Sequence, residues 1–96
     1  MLVLITYDVN TETAEGKRRL RNVAKKCMDF GQRVQNSVFE CELDYSQYLK
    51  LKDTLLKIID SKHDSIIFYN LGNNWKRKVE HYGVHPEFFQ DDILVI

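Results

Sequence analysis

Two segments of the chain, residues 2–9 and 65–71, are apolar at both alternating positions. β-Branched and aromatic side chains dominate both segments, which is typical of strands inside a sheet that is covered on both faces. In the first segment, Thr6 and Asp8 are the polar exceptions, and they share one face. We therefore expect two central strands, with Asp8 at the end of the first.

A helix is predicted after the first strand, because apolar residues recur at intervals of three and four. This buried stripe consists of Leu20, Val23, Ala24 and Cys27. Good N-caps precede it at Asn10, Thr11 and Thr13. Gly31 is expected to end the helix in a left-handed conformation, which glycine adopts at little cost.

A second helix is predicted to begin at Asp44 or Ser46. Its buried side consists of Tyr48, Leu51, Leu55, Ile58 and Ile59. Residues 33–43 precede it and alternate imperfectly between apolar and polar side chains. That pattern indicates one strand with a bulge or with a change of covered face.

The order of elements matches two βαβ units that share one antiparallel sheet. Residues 75–82 add an exposed edge strand, and residues 92–96 add a short apolar strand at the C-terminus. The predicted fold class is therefore α+β, a single ferredoxin-like βαββαβ domain over residues 1–96 with an extra C-terminal strand. Helices cover only one face of such a sheet, although both faces are apolar. We expect a homodimer, in which residues 92–96 add to the partner's sheet.

Composition limits the classes of protein that the chain can represent. Ninety-six residues suit one domain. The apolar run at residues 2–5 is too short to span a bilayer, and no signal-peptide pattern precedes it, so we expect a cytoplasmic protein without membrane contact. Cys27 and Cys41 are expected to be buried free thiols. The histidines lack the spacing of a metal site: His63, His81 and His85.

Asp8 is the first candidate for chemistry, because it interrupts an apolar strand where the sheet opens into a loop. A helix cap or a turn former is the structural alternative. Thr6, Asn10 and Thr11 bring further oxygens within six residues, and oxygen ligands suit a hard cation such as Mg²⁺. One carboxylate makes a poor site, but two copies of Asp8 near a dimer axis could share one ion that activates water against a phosphodiester.

The chain has no net charge, with 14 basic and 14 acidic residues, but its basic residues cluster. Residues 15–33 hold seven lysines and arginines against two acids. A solvated helix face and a surface for phosphate backbones both account for this excess. A second basic group beside Trp75 suits either phosphate contact or an edge strand charged against aggregation. The candidate nucleic-acid-binding residues are Lys17, Arg18, Arg19, Arg21, Lys76, Arg77 and Lys78.

Three stretches together carry a family resemblance: YDV at residues 7–9, QNSVFE at 35–40 and FYNLGNNWKRKVEH at 68–81. With the basic helix and the apolar tail at residues 93–96, they resemble the second protein of the CRISPR adaptation pair, a family also called CRISPR-associated endoribonuclease. The resemblance covers nearly the whole chain. It implies a homodimer of ferredoxin-like subunits with Asp8 as the Mg²⁺ ligand and the catalytic residue.

The resemblance also implies two activities. A Mg²⁺-dependent endonuclease would cut double-stranded DNA or single-stranded RNA and act in spacer acquisition for antiviral defence. The alternative is a nonenzymatic dimer that binds DNA and bridges two dimers of the CRISPR integrase subunit, and Asp8 would be dispensable for that role. Arg18, Arg19, Arg21 and Phe39 correspond loosely to functional positions in relatives.

Overall fold

The computed structural model describes residues 1–72 and 78–84, except for the side chain of Lys78. Its elements are β1 (Leu2–Asp8), α1 (Ala14–Met28), β2 (Gly31–Gln35), β3 (Val38–Glu42), α2 (Tyr45–Ile58), β4 (Ser65–Asn70) and β5 (Lys78–Gly83). The strands form one antiparallel sheet in the order β2-β3-β1-β4-β5. This topology confirms the α+β class and the ferredoxin-like arrangement, with β5 as an added edge strand. The strand predicted at residues 92–96 lies outside the described residues.

One prediction about the strands was wrong. Residues 33–43 do not form a single strand, because β2 and β3 make an antiparallel hairpin with a turn at Asn36 and Ser37. The register shifts between Arg33 and Gln35, so part of the imperfect alternation is a bulge. The turn has no glycine, and without that signal the two short strands resemble one long strand.

The helices pack against one face of the sheet, and β1 alternates accordingly. Val3, Ile5 and Tyr7 are buried, and they join a core to which both helices contribute. The helical members of this core include Val23, Cys27, Tyr48, Leu51 and Leu55. The opposite face, termed the open face, carries Leu4, Thr6 and Asp8 of β1, together with the strand partners of Thr6, which are Val38 of β3 and Ile67 of β4.

Side chains cap both helices at their N-termini. Thr13 accepts a hydrogen bond from the amide of Gly16 at 3.0 Å, and Asp44 forms a capping box with Gln47. These contacts confirm the predicted N-cap at Thr13 and the predicted helix start at Asp44. Gly31 does not end α1, because the helix stops at Met28 and Gly31 is the first residue of β2.

Gly31 is needed for close packing instead. A Cβ atom at this position would lie 2.3 Å from the carbonyl oxygen of Glu40 and 2.6 Å from Sγ of Cys41. Its backbone is not left-handed, since the described glycines with positive φ are Gly72 and Gly83. The prediction of a left-handed cap was therefore wrong.

The two cysteines are free and buried, as predicted. Burial raises the pKa of Cys27 to about 12 and that of Cys41 to about 11. Both thiols are therefore protonated near neutral pH. No helix among residues 1–72 and 78–84 is long and apolar enough to cross a membrane.

Candidate metal and nucleic-acid site

Asp8 ends β1 with an exposed side chain on the open face. Its strand partner is Ser65, the first residue of β4. A hollow of about 200 Å³ lies beside it and is lined by Thr6, Tyr7, Asp8, Ser37, Val38, Ser65 and Ile67. Within the described parts of the chain, no lysine, arginine or histidine forms an ion pair with Asp8. The carboxylate therefore faces a shallow space lined by hydroxyl and apolar groups.

The oxygens near Asp8 differ in part from the predicted set. Thr6 shares the hollow with Asp8, whereas the side chain of Asn10 is used in a turn, where its Oδ1 accepts a hydrogen bond from the amide of Glu12 at 2.9 Å. Ser37 and Ser65 were not predicted, and they reach the hollow from a turn and from a neighbouring strand. Pairing across strands is invisible in local sequence, so these two hydroxyls could not have been placed beside Asp8.

The donor set suits Mg²⁺ in type but is incomplete in one chain. Carboxylate and hydroxyl oxygens are the ligands that hard cations prefer. The described residues contain no group of three or more histidine, cysteine, aspartate or glutamate side chains that could hold a metal. The described residues of one subunit therefore offer a single carboxylate at this hollow, and a second acidic ligand would have to come from elsewhere.

The side chain of Tyr7 packs in the core, as predicted for a neighbour along a strand, although the residue also borders this hollow. It is 5% exposed and stacks on Phe39 with ring centroids 6.1 Å apart. Burial is the main cause that raises its pKa, so its hydroxyl is a poor acid. Phe39 is fully buried, and Arg33 lies over its ring at 5.2 Å. Neither face of Phe39 is therefore open to a nucleic-acid base.

Ser65 connects the hollow to β5. Its hydroxyl lies 3.1 Å from Nε2 of His81, and that nitrogen lies 2.7 Å from the carbonyl oxygen of Val84. A carbonyl only accepts hydrogen bonds, so Nε2 carries a hydrogen. His81 thus links the end of β5 to Ser65, the strand partner of Asp8.

The predicted basic residues of α1 fall into two groups. Lys17, Arg18 and Arg21 are exposed, and none of them forms an ion pair with a described acid. Arg19 is different, because its side chain is only 20% exposed and lies against Asp64. Lys76 and Arg77 lie outside the described residues, as does the side chain of Lys78, so their role stays a prediction.

Asp64 is a polar residue of the core that the sequence did not reveal. Its side chain is fully buried. It accepts two hydrogen bonds from Arg19, at 2.8 and 3.3 Å, and one from each backbone amide of Asn10 and Asp60, at 3.0 and 2.9 Å. Burial alone would raise the pKa of Asp64, but these bonds outweigh it and hold the pKa below its ordinary value.

The comparisons with known proteins agree on one family. Residues 1–79 match the family model described as CRISPR associated protein Cas2. A CRISPR-associated endoribonuclease Cas2 of Chlorobaculum tepidum is 60% identical over 83 residues, which are 86% of each chain. A CRISPR-associated endonuclease Cas2 of Halalkalibacterium halodurans is 55% identical over 99% of each chain.

Solved structures show the same fold. The crystal structure of Streptococcus pyogenes Cas2 at pH 6.5 aligns with a TM-score of 0.71 and 61% identity, covering 78% of this chain and 90% of that one. A hypothetical protein from Thermus thermophilus aligns with a TM-score of 0.58 and 25% identity, covering 88% and 82% of the two chains. By its sequence and by its fold, the chain belongs to the CRISPR-associated protein Cas2 family.

Proposed function

We propose that the protein is a Mg²⁺-dependent endonuclease of a CRISPR system, with Asp8 as the metal ligand and catalytic residue. The observation that carries this proposal is the exposed carboxylate of Asp8 at the end of the central strand β1, beside the hydroxyls of Thr6, Ser37 and Ser65. Relatives named endoribonuclease and endonuclease support a nuclease activity. The substrate is double-stranded DNA, single-stranded RNA or both, and the cellular role is spacer acquisition in antiviral defence.

The site is completed by a homodimer. The apolar side chains of Leu4 and Val38 lie on the open face, which neither α1 nor α2 covers. Burying them against a second copy is favourable, because apolar area is removed from water. A two-fold axis near the ends of the two β1 strands would bring both copies of Asp8 together and supply the second carboxylate.

The chemistry follows from the types of residue present. Bound Mg²⁺ supplies Lewis-acid polarisation of the phosphodiester and an activated water. The carboxylate of Asp8 would hold the ion, with Thr6 and Ser65 offering hydroxyl oxygens beside it. Tyr7 takes no part in proton transfer, because its ring is buried, its hydroxyl donates to the carbonyl oxygen of Asn36 at 3.5 Å, and burial raises its pKa.

The experiment measures cleavage of duplex DNA and of single-stranded RNA, each with Mg²⁺ and with a chelator. Asp8→Asn keeps the shape of the side chain and removes its charge, and we expect a loss of about 100-fold. Asp53→Asn is the matched control, because Asp53 is an exposed aspartate on α2. Equal cleavage by wild type and Asp8→Asn would exclude Asp8 as the metal ligand.

A nonenzymatic scaffold that binds DNA and bridges dimers of the CRISPR integrase is the second candidate. It is favoured by the placement of Lys17, Arg18 and Arg21, which are exposed on α1. This helix packs on the face of the sheet opposite to the side chain of Asp8, so phosphate binding and metal binding use different surfaces of one subunit.

DNA binding distinguishes the two candidates. Replacing Lys17, Arg18 and Arg21 by glutamine should weaken duplex binding and reduce its salt dependence, whereas Asp8→Asn should leave both unchanged. Deletion of residues 93–96 should abolish assembly with the integrase subunit. A scaffold role would be contradicted by normal assembly after this deletion together with normal binding by the glutamine variant.

A further inference from the structure

The buried carboxylate of Asp64 is connected to Asp8 through two segments of backbone, one at Asn10 and one at Ser65. Asn10, whose amide donates to Asp64 at 3.0 Å, lies two residues beyond Asp8. Ser65, which directly follows Asp64, is the strand partner of Asp8. The Asp8–Ser65 pair is the last of the β1–β4 ladder, and the ends of ladders open more readily than their centres. Asp64 thus closes the end of the ladder that would otherwise fray.

The segment after Asp8 is also confined from the side of α1. A Cβ atom at Gly16 would lie 1.9 Å from the carbonyl oxygen of Asn10, so only glycine allows the helix to approach this backbone so closely. The side chain of Asn10 in turn accepts a hydrogen bond from the amide of Glu12. Asn10 is therefore held by hydrogen bonds of its amide and its side chain, and its carbonyl lies close against Gly16.

Stability alone does not account for this arrangement. A buried ion pair can often be replaced by well-packed apolar side chains without loss of stability. The carboxylate of Asp64, which Arg19 contacts, also accepts hydrogen bonds from backbone amides of the β1–α1 loop and of the end of α2, which apolar residues cannot do. Groups that orient a metal ligand typically change metal affinity or activity by about 10- to 100-fold when they are removed.

We propose that Asp64 and Arg19 are positioning residues, which hold the backbone that follows Asp8 and the strand end that pairs with it, and so aim the carboxylate of Asp8 into the open-face hollow. This inference rests on the proposed function, because it assumes that Asp8 binds the metal. It also changes the role of Arg19, which we expected to bind nucleic acid. Arg19 serves the metal site through Asp64.

Two variants test the positioning role. The double variant Asp64→Asn with Arg19→Gln removes both charges at once, so that neither is left buried without its partner. Arg19→Lys keeps the charge and loses the two-pronged contact, and it is the milder second variant. The matched control is Asp53→Asn with Lys57→Gln, which removes an exposed ion pair of 3.0 Å on α2.

The readouts are kcat and KM at several Mg²⁺ concentrations and the midpoint of Mn²⁺ broadening of the Thr6 and Ser65 amide signals. We expect the double variant to lose about 10- to 100-fold in kcat, with KM within about twofold and a Mn²⁺ midpoint at least about tenfold higher. The kcat and the Mn²⁺ midpoint of Arg19→Lys should change in the same direction, and those of the control should match wild type. Folded variants with wild-type kcat and an unchanged Mn²⁺ midpoint would overturn the proposal.

Failure of the proposed function gives a different result. If Asp8 does not bind the metal, wild type shows no cleavage, and any Mn²⁺ broadening of its amide signals persists in Asp8→Asn. Hydrogen exchange of the Asn10 amide then decides whether Asp64 and Arg19 hold the backbone. Exchange that is at least about tenfold faster in Arg19→Lys supports the holding role, and unchanged exchange overturns it.

Discussion

Gly31 gives a sharp test, because the structure and a cap at the end of α1 predict opposite orders of stability for the alanine and asparagine variants. At a left-handed cap, asparagine replaces glycine with little loss. In the structure, Gly31 is a strand residue whose added Cβ would lie 2.3 Å from the carbonyl oxygen of Glu40 and 2.9 Å from Cα of Cys41. Both of these are backbone atoms, which cannot move aside without shifting β3.

The expected change in the free energy of unfolding follows from two opposing effects of Gly31→Ala. Alanine in a strand is favoured over glycine by about 0.5–1 kcal/mol, because the unfolded chain loses freedom. Forcing an extra carbon into close-packed surroundings costs about 1–3 kcal/mol. The overlap at Gly31 involves backbone atoms on the partner strand, so we expect the upper part of that range and a net loss of about 1–2 kcal/mol. Gly31→Asn should lose more, because its side chain is larger.

Urea unfolding followed by circular dichroism measures these differences. Gln32→Ala is the matched control, because Gln32 is the exposed neighbour of Gly31 on β2, and it should stay within about 0.5 kcal/mol of wild type. The midpoints should fall while the slope of free energy against urea stays constant. A Gly31→Ala protein more stable than wild type would refute the packing argument, and a Gly31→Asn protein equal to wild type would restore the cap.

Three further predictions concern the core and its ionisable groups. Leu55→Ala should cost about 2–5 kcal/mol in urea unfolding, because Leu55 is fully buried, whereas Leu49→Ala on the exposed side should stay within about 0.5 kcal/mol. The pKa of Asp64 lies below its ordinary value, so the stability that it contributes is complete above about pH 3.9, the pKa of an unfolded aspartate, and is lost as the pH falls through the lower folded pKa. Urea midpoints at pH 7 and pH 3 should therefore differ less in Asp64→Asn with Arg19→Gln than in wild type, and an equal difference would contradict this. Burial raises the pKa of Cys27 to about 12, so Ellman's reagent at pH 8 should react with it only after unfolding in urea.

The elements with a strong periodicity of apolar residues were predictable from the sequence. The two-sided apolar strands and the apolar stripes of both helices appear in the structure as β1, β4, α1 and α2. The hairpin formed by β2 and β3 was not predictable, because a turn at Asn36 and Ser37 lacks the glycine that usually marks such a connection. This error therefore arose where local chemistry is weak.

The candidate site was predictable only in its two β1 residues, Asp8 and Thr6. Asp8 stands out because a carboxylate at the end of an apolar strand is unusual. Ser37 and Ser65 reach the same hollow through pairing with distant parts of the chain. Arg19 and Asp64 are 45 residues apart in sequence, and no local pattern joins them. Contacts of this kind are decided by topology.

The phase of α1 nevertheless contains a signal about Arg19. On a helix, residues three or four apart share a face. Arg19 is three residues after Gly16 and four before Val23, and both of these are buried. Arg18 and Arg21 lie outside this stripe and are exposed. An arginine on the buried side of a helix requires a buried acid, because an unpaired charge there is costly. When the basic residues of α1 are sorted by helix face, Arg19 is the one arginine that needs a partner inside the fold. Arg18 and Arg21 remain open to phosphates.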